Sequence, residues 1–209
     1  MARQIRTVTS CLLWSLTIVT LIVAAMPMRA ELPYDWKCDF SLKGPANEIV
    51  SADFNDDGHL DLATPTRDNP AVEVLLGDGS GTFGQNQRFT ITGDIGRPRA
   101  MVTADFDKNG TLDLAITTIQ EFLVPNHVSV ILGKGDGSFG PETLFGVGVE
   151  PLSIATADFN SDEVPDLVTA NRFSDNISIL LGTGDGGFGK ATHFSTMGID
   201  ANALVVGKL

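Results

Sequence analysis

The sequence predicts an all-β chain of β-propeller blades, about three four-stranded antiparallel blades that form the N-terminal part of a larger propeller. Three observations predict it. An acidic loop recurs at steps of 52 and 53 residues, as Asp53–Asp61, Asp105–Asp113 and Asp158–Asp166. A glycine-rich turn ending in Phe-Gly recurs between the loops, at residues 77–84, 133–140 and 182–189. Beyond the first 30 residues no window carries a 3.6-residue apolar stripe, so almost no helix is expected. Four short antiparallel strands in a repeat of about 50 residues are the unit of a blade.

The chain opens on a secretory leader, residues 1–30. Arg3 and Arg6 make a basic start, Leu12 to Met26 is mostly apolar, and small residues place cleavage after Ala25 or Ala30. The apolar run is shorter than the ~20 residues of a spanning helix, so no membrane span is expected in the mature chain. Export would place the protein in the extracellular space, at the cell surface or in a periplasm. Cys11 leaves with the leader, and Cys38 alone cannot form an intrachain disulfide. An exported domain without that staple needs another, and a bound cation stabilises whatever fold it binds.

Residues 31–46 read as a short lead and an orphan outer strand at Lys37 to Leu42. The repeats follow at about 47–99, 100–151 and 152–200, with the start of a fourth at 201–209. In the second copy, Ala100 to Asp105 is a first strand and Asp113 to Thr118 a second. Val128 to Leu132 is a third, the glycine turn follows, and Thr143-Leu144-Phe145 begins a fourth. Val72–Leu76 and Ile177–Leu181 repeat the third strand. Lys208 falls where a fourth loop would have its first Asp. This count predicts the front part of a longer propeller, whose open blade edges invite association with other chains.

Charge narrows the function. The formal net charge is -12, and the three acidic loops hold 11 of the 26 Asp and Glu. The other 15 acids face 14 Lys and Arg, so the acidity is concentrated at points. That pattern excludes a basic nucleic-acid surface and indicates cation sites. Each loop sets oxygen-bearing residues at positions 1, 3, 5 and 9, with Gly58 and Gly110 at position 6 of the first two. Hard cations such as calcium take six to eight oxygen ligands of this kind. An EF-hand is excluded, because Thr64, Ile116 and Thr169 stand where its closing Glu would be and the flanks read as strands. Asp, Asn and Gly also form ordinary turns, but three loops of identical spacing point to more.

The Asp-Phe-Asn-x-Asp-Gly loop, the Leu-Gly-x-Gly-Asp-Gly-x-Phe-Gly turn and their step resemble the FG-GAP/VCBS repeats of integrin-α-like β-propellers, over about residues 37–209. The resemblance implies a calcium ion in each loop, up to three in all. The implied ligands are Asp53, Asn55, Asp57, the carbonyl of His59 and Asp61; Asp105, Asp107, Asn109, the carbonyl of Thr111 and Asp113; and Asp158, Asn160, Asp162, the carbonyl of Val164 and Asp166. Glu163 occupies the glycine position of the third loop, so the third site is expected to be the weakest.

Phe54, Phe106, Phe159, Phe83, Phe139 and Phe188 recur with the blade and are expected to pack within or between blades. His59, His127 and His193 share no blade position and read as surface residues. Asn109-Gly110-Thr111 and Asn176-Ile177-Ser178 match the glycosylation sequon. The chain holds no metalloprotease helix motif, nucleophile elbow, phosphate loop or Cys/His pair, so it is read as non-catalytic. The expected role is secreted, calcium-stabilised binding or cell adhesion toward an extracellular protein or glycan. The alternatives are the repeat scaffold of a secreted enzyme acting on polysaccharide or lipid, and a lectin.

Overall fold

The computed structural model describes residues 42, 44–67, 70–84, 87–91, 96–120, 126–197 and 200–207. The leader, Cys38, Lys208 and all but the last residue of the expected orphan strand lie outside the described residues. Among the described residues no helix is long and apolar enough to cross a membrane.

Among the described residues twelve strands run in sequence order. They are β1 (Val50–Ala52), β2 (Asp61–Thr66), β3 (Ala71–Leu75), β4 (Gln87–Thr90), β5 (Arg97–Ala104), β6 (Asp113–Ile119), β7 (His127–Gly133), β8 (Phe139–Gly146), β9 (Pro151–Ala157), β10 (Asp166–Asn171), β11 (Asn176–Leu180) and β12 (Thr192–Ser195). They form three four-stranded sheets, β1–β4, β5–β8 and β9–β12, each a meander of antiparallel neighbours. The all-β, propeller-like architecture expected from the repeat is present.

Valine, isoleucine, leucine, alanine and threonine fill the second strands because both their faces are covered. β2 and β10 are buried at every position, and β6 at all but its last. The core lies between blades. One layer joins Phe54, Val72 and Val74 of the first blade to Met101, Leu114, Ile116 and Phe139 of the second. The next joins Phe106, Val128 and Val130 of the second to Ile154, Leu167, Leu180 and Phe188 of the third. Burying apolar surface between sheets, at about 25 cal/mol per Å², is what holds blade to blade.

Three strand assignments differ from the sequence reading. The first strand of the middle blade begins at Arg97, three residues before Ala100. The fourth strand of the middle blade begins at Phe139, four residues before Thr143. A register shift between Ile131 and Gly133 folds the turn tightly enough for Gly133 to pair with Phe139. The outer blades keep this contact only as the single bridges Gly77 to Phe83 and Gly182 to Phe188. At the other end, residues 201–207 form no strand. An opening strand pairs with the second strand of its own blade, as β1 does with β2, and among the described residues this segment pairs with none. Leu204 N–H donates to Ser153 Oγ at 3.3 Å.

The recurring phenylalanines build a joint. Phe54 stacks edge-on against Phe139 of the next blade at 5.8 Å, and Gly137 N–H of that blade donates to Phe54 C=O at 3.0 Å. Phe106 repeats this with Phe188 at 5.3 Å and Gly186 N–H at 3.1 Å. Phe159 departs from the expected packing role: it is 41 % exposed, against 3 % for Phe54 and 1 % for Phe106. The reason is positional. Its partners would come from the glycine turn of a following blade, and no such turn is among the described residues. Leu181 of the same blade is left 44 % exposed for the same reason.

Truncating buried phenylalanines typically costs about 3–5 kcal/mol. Phe106→Ala is therefore expected to destabilise the chain by that amount in urea titration, and Phe159→Ala by less than about 1 kcal/mol. Equal losses would mean that the joint adds nothing beyond the blade's own core.

Candidate metal centre

Each acidic loop joins the first strand of a blade to the second. The last Asp opens the second strand and pairs with the alanine that closes the first: Asp61 with Ala52, Asp113 with Ala104, Asp166 with Ala157. All three carboxylates are fully buried. Each accepts two backbone hydrogen bonds, one per oxygen. Asp61 takes Phe54 N–H and Gly77 N–H, both at 2.8 Å. Asp113 takes Phe106 N–H at 2.7 Å and Gly133 N–H at 2.8 Å. Asp166 takes Phe159 N–H and Gly182 N–H, both at 2.8 Å. The last Asp is thus a staple joining the loop, the second strand and the end of the third.

That staple explains a glycine. A Cβ on Gly77 would lie 2.3 Å from Leu60 O, one on Gly133 2.3 Å from Leu112 O, and one on Gly182 2.4 Å from Pro165 O. Only glycine lets the third strand approach the loop closely enough to donate to the buried carboxylate. The repeated Leu-Gly in sequence is the signal of this contact, and turn chemistry alone did not reveal it.

The exposed half of each loop is held by its own amides. Gly58, Gly110 and Glu163 donate to the first Asp at 2.7, 2.9 and 2.9 Å. Position 5 donates through its N–H to the residues at positions 1 and 3 in every copy. At position 7, His59, Thr111 and Val164 donate back to the side chain at position 5, at 2.8, 2.7 and 2.9 Å. A carboxylate oxygen with one hydrogen bond keeps a further lone pair for a cation. The loops therefore remain competent donor sets of oxygen, the chemistry a hard cation requires.

The middle loop gathers charge most tightly. Carboxylate oxygens of Asp105, Asp107 and Asp113 all lie within 4.8 Å of one another. Where it has Asp107, the other loops have Asn55 and Asn160, whose amides donate to Asp57 and Asp162 at 2.9 and 2.8 Å. Among the described residues no other group of three or more acidic, histidine or cysteine side chains is gathered in this way.

Backbone conformation separates the third loop. Gly58 and Gly110 have φ of 85° and 90°, and Glu163 follows at 63°. A Cβ at either glycine would meet nothing within 4 Å. Glu163 is therefore sterically admissible, and what it carries is the left-handed conformation itself, on the order of 1 kcal/mol. Sequence reasoning missed a second such position. Asp56, Lys108 and Ser161, at position 4, have φ of 56°, 59° and 61°.

The remaining expectations resolve residue by residue. His127 is not a surface residue; it is half-buried in β7, where strand pairing encloses it, and its Nδ1 has no hydrogen-bond partner among the described residues. His193 is exposed on β12, its Nδ1 3.0 Å from Ser178 Oγ. The sequon at Asn176 lies in β11 with Ser178 fully buried, and Asn176 Oδ1 accepts from Asn171 at 2.8 Å.

Burial pushes the Asp113 carboxyl up to about 6, against the lowering by Gly133 and Phe106 N–H, and Asp107 and Asp105 push the same way. Asp61 is raised by burial likewise. Asp57 is lowered, first by its hydrogen bond from Asn55, and Asp158 by Glu163 N–H. A carboxyl raised on folding stabilises the fold fully below its ordinary value of 3.8, and that contribution is lost as pH rises through about 6. Between those two values the metal-free chain should melt at a higher temperature as pH falls. Asp113→Asn should flatten this slope in calorimetry; an unchanged slope would assign it to other groups.

Residues 49–116, from just before β1 into β6, match the family model of the FG-GAP-like repeat. No curated protein matches the chain. Among solved structures the chain is similar to the Tc holotoxin pore of Photorhabdus luminescens, at 16% identity over 73% of this chain, with a TM-score of 0.42. The chain spans 7% of the length of that toxin chain. The described residues form an all-β fold of propeller-like blades, and residues 49–116 match the FG-GAP-like repeat.

Proposed function

We propose that the chain is a non-catalytic, extracellular scaffold whose blades are locked by calcium, and that it serves binding or adhesion. The observation that carries this reading is the convergence of Asp105, Asp107 and Asp113 oxygens within 4.8 Å, on a loop whose Phe106 is joined to the next blade. Calcium would neutralise the clustered carboxylates and fix the loop from which that joint departs. Asp105, Asp107, Asn109, Thr111 C=O and Asp113 would hold it in the middle blade. Asp53, Asn55, Asp57, His59 C=O and Asp61 would serve in the first, and Asp158, Asn160, Asp162, Val164 C=O and Asp166 in the third. Extracellular modules of this class bind calcium at about 0.1–1 mM, so an exported protein would be loaded. A ligand, protein or glycan, would engage loops on a blade end held rigid by the ions.

Chelation should therefore lower the melting temperature, with calcium restoring it and magnesium failing to. An unchanged melting curve in EDTA would refute the reading. Calorimetric titration should rank the middle loop tightest and the third weakest, and Glu163→Gly should bring the third toward the first. Equal affinities in the parent chain would refute the ranking.

A further inference from the structure

The joint between blades is built from more than the phenylalanine of the acidic loop. Phe89 of β4 meets Phe139 edge-on at 5.1 Å, as Phe145 of β8 meets Phe188 at 5.2 Å. Leu76, just after β3, lies against the next turn, as does Leu132 in the second blade. A Cβ on Gly137 would stand 2.8 Å from Leu76 Cδ2, and one on Gly186 2.8 Å from Leu132 Cδ1. Phe54, Leu76 and Phe89 therefore make a socket on the first blade, and Phe106, Leu132 and Phe145 make the same socket on the second. Each holds one glycine and one phenylalanine of the following turn, Gly137 with Phe139 and Gly186 with Phe188, and all four are buried.

The third blade carries the same socket in Phe159, Leu181 and Phe194. Strand pairing fixes the last of these: Ile177 pairs with Phe194 as Val72 does with Phe89 and Val128 with Phe145. Phe194 is 50 % exposed, and with Phe159 and Leu181 it puts three large apolar side chains in the open. Single exposed apolar side chains are ordinary, but a contiguous patch marks an interaction site. The two filled sockets show that these three positions act on one ring. The complementary half of the joint stands at the other end of the series. Gly77 to Gly84 of the first blade is a third glycine turn, in which Gly81 and Phe83 hold the places of Gly137 and Phe139. Both are half-buried, where their counterparts in the second and third blades are buried.

We propose that the socket of the third blade docks the glycine turn 77–84 of a second copy of this chain, so that two copies join head to tail. Phe83 of one copy would stand against Phe159 and Phe194 of the other, and Gly81 against Leu181. Gly81 N–H would donate to Phe159 C=O, as Gly137 and Gly186 N–H do to Phe54 and Phe106 C=O. An interface that the chain builds twice within itself is thus offered a third time, with both halves on one molecule. Head-to-tail contacts run on into filaments unless the rotation closes them. Two copies of three blades supply six, within the four to eight of closed propellers, so a closed pair with two equal joints is the expected assembly. One segment gives way. Leu204 N–H bonds Ser153 Oγ as Met101 N–H bonds Glu48 Oε2 across the first two blades, so residues 201–207 stand where the opening strand of the second copy would lie. Among the described residues they pair with no strand, so little ladder is lost when they move.

The test is analytical ultracentrifugation of the full chain over a concentration series, and the expected result is a reversible dimer. Phe159→Ser, Leu181→Ser and Phe194→Ser each shorten an exposed side chain, should leave the monomer folded, and should each weaken the dimer about tenfold or more. Phe173→Ser removes a ring of similar exposure, 53 %, outside the socket, and should change the affinity less than twofold. Mixing tests the direction of the contact. Phe159→Ser lacks the socket and Phe83→Ala the ring that fills it, so each alone should be monomeric where the parent is dimeric, and the mixture should recover a dimer held by one joint. If Phe83→Ala does not fold, the parent chain supplies the readout: its Gly81 amide should exchange at least about fivefold more slowly in the dimer than at dilution. Deleting residues 201–209 should leave the dimer at least as tight. A chain monomeric up to ~1 mM, an equal loss from Phe173→Ser, no recovery on mixing, no slowing at Gly81, or loss of the dimer on deleting 201–209 would each overturn the proposal.

Discussion

The structure depends on what one phenylalanine in each of the first two blades does with three groups at once. Phe106 donates its N–H to the buried Asp113, accepts at its carbonyl from Gly186 of the next blade, and presses its ring against Phe188 of that blade. Phe54 does the same with Asp61, Gly137 and Phe139. The acidic loop is thus the place where the internal order of one blade is passed to its neighbour. A loop that shifts moves the amide, the carbonyl and the ring together. Loop chemistry and blade packing are therefore one problem here.

This coupling gives the buried Asp a cost and a purpose. A carboxylate taken out of water resists ionisation, and two N–H donors offset that only in part, so Asp113 is raised to about 6. With Asp105 and Asp107 beside it, the loop holds charge that a cation would relieve. A cation that binds the folded chain alone adds to its stability by mass action, and here the gain would be delivered at the joint.

Much of this was legible in the sequence because repetition amplifies weak signals. The acidic loops, the glycine turns and the second and third strands stand within a residue or so of where periodicity puts them. The joint was not legible. That Phe54 and Phe106 are buried while Phe159 is exposed depends on a neighbouring blade, and identical residues in identical local sequence cannot show it. The left-handed turn at Asp56, Lys108 and Ser161 was hidden because these residues share no side-chain chemistry. Glu163 was legible as a departure from glycine, but only the open space around Gly58 and Gly110 shows that the strain is conformational and not steric.

The central claim is that the acidic loop controls the joint between blades. Hydrogen exchange of the Gly137 and Gly186 amides, which donate to Phe54 and Phe106 across the blade boundary, tests it most directly. If calcium orders the loops, adding it to the metal-free chain should slow exchange at these two amides at least tenfold. The Gly189 amide, bonded within its own blade to Leu181 C=O, should change far less. Equal slowing at all three, or none at Gly137 and Gly186, would contradict the account.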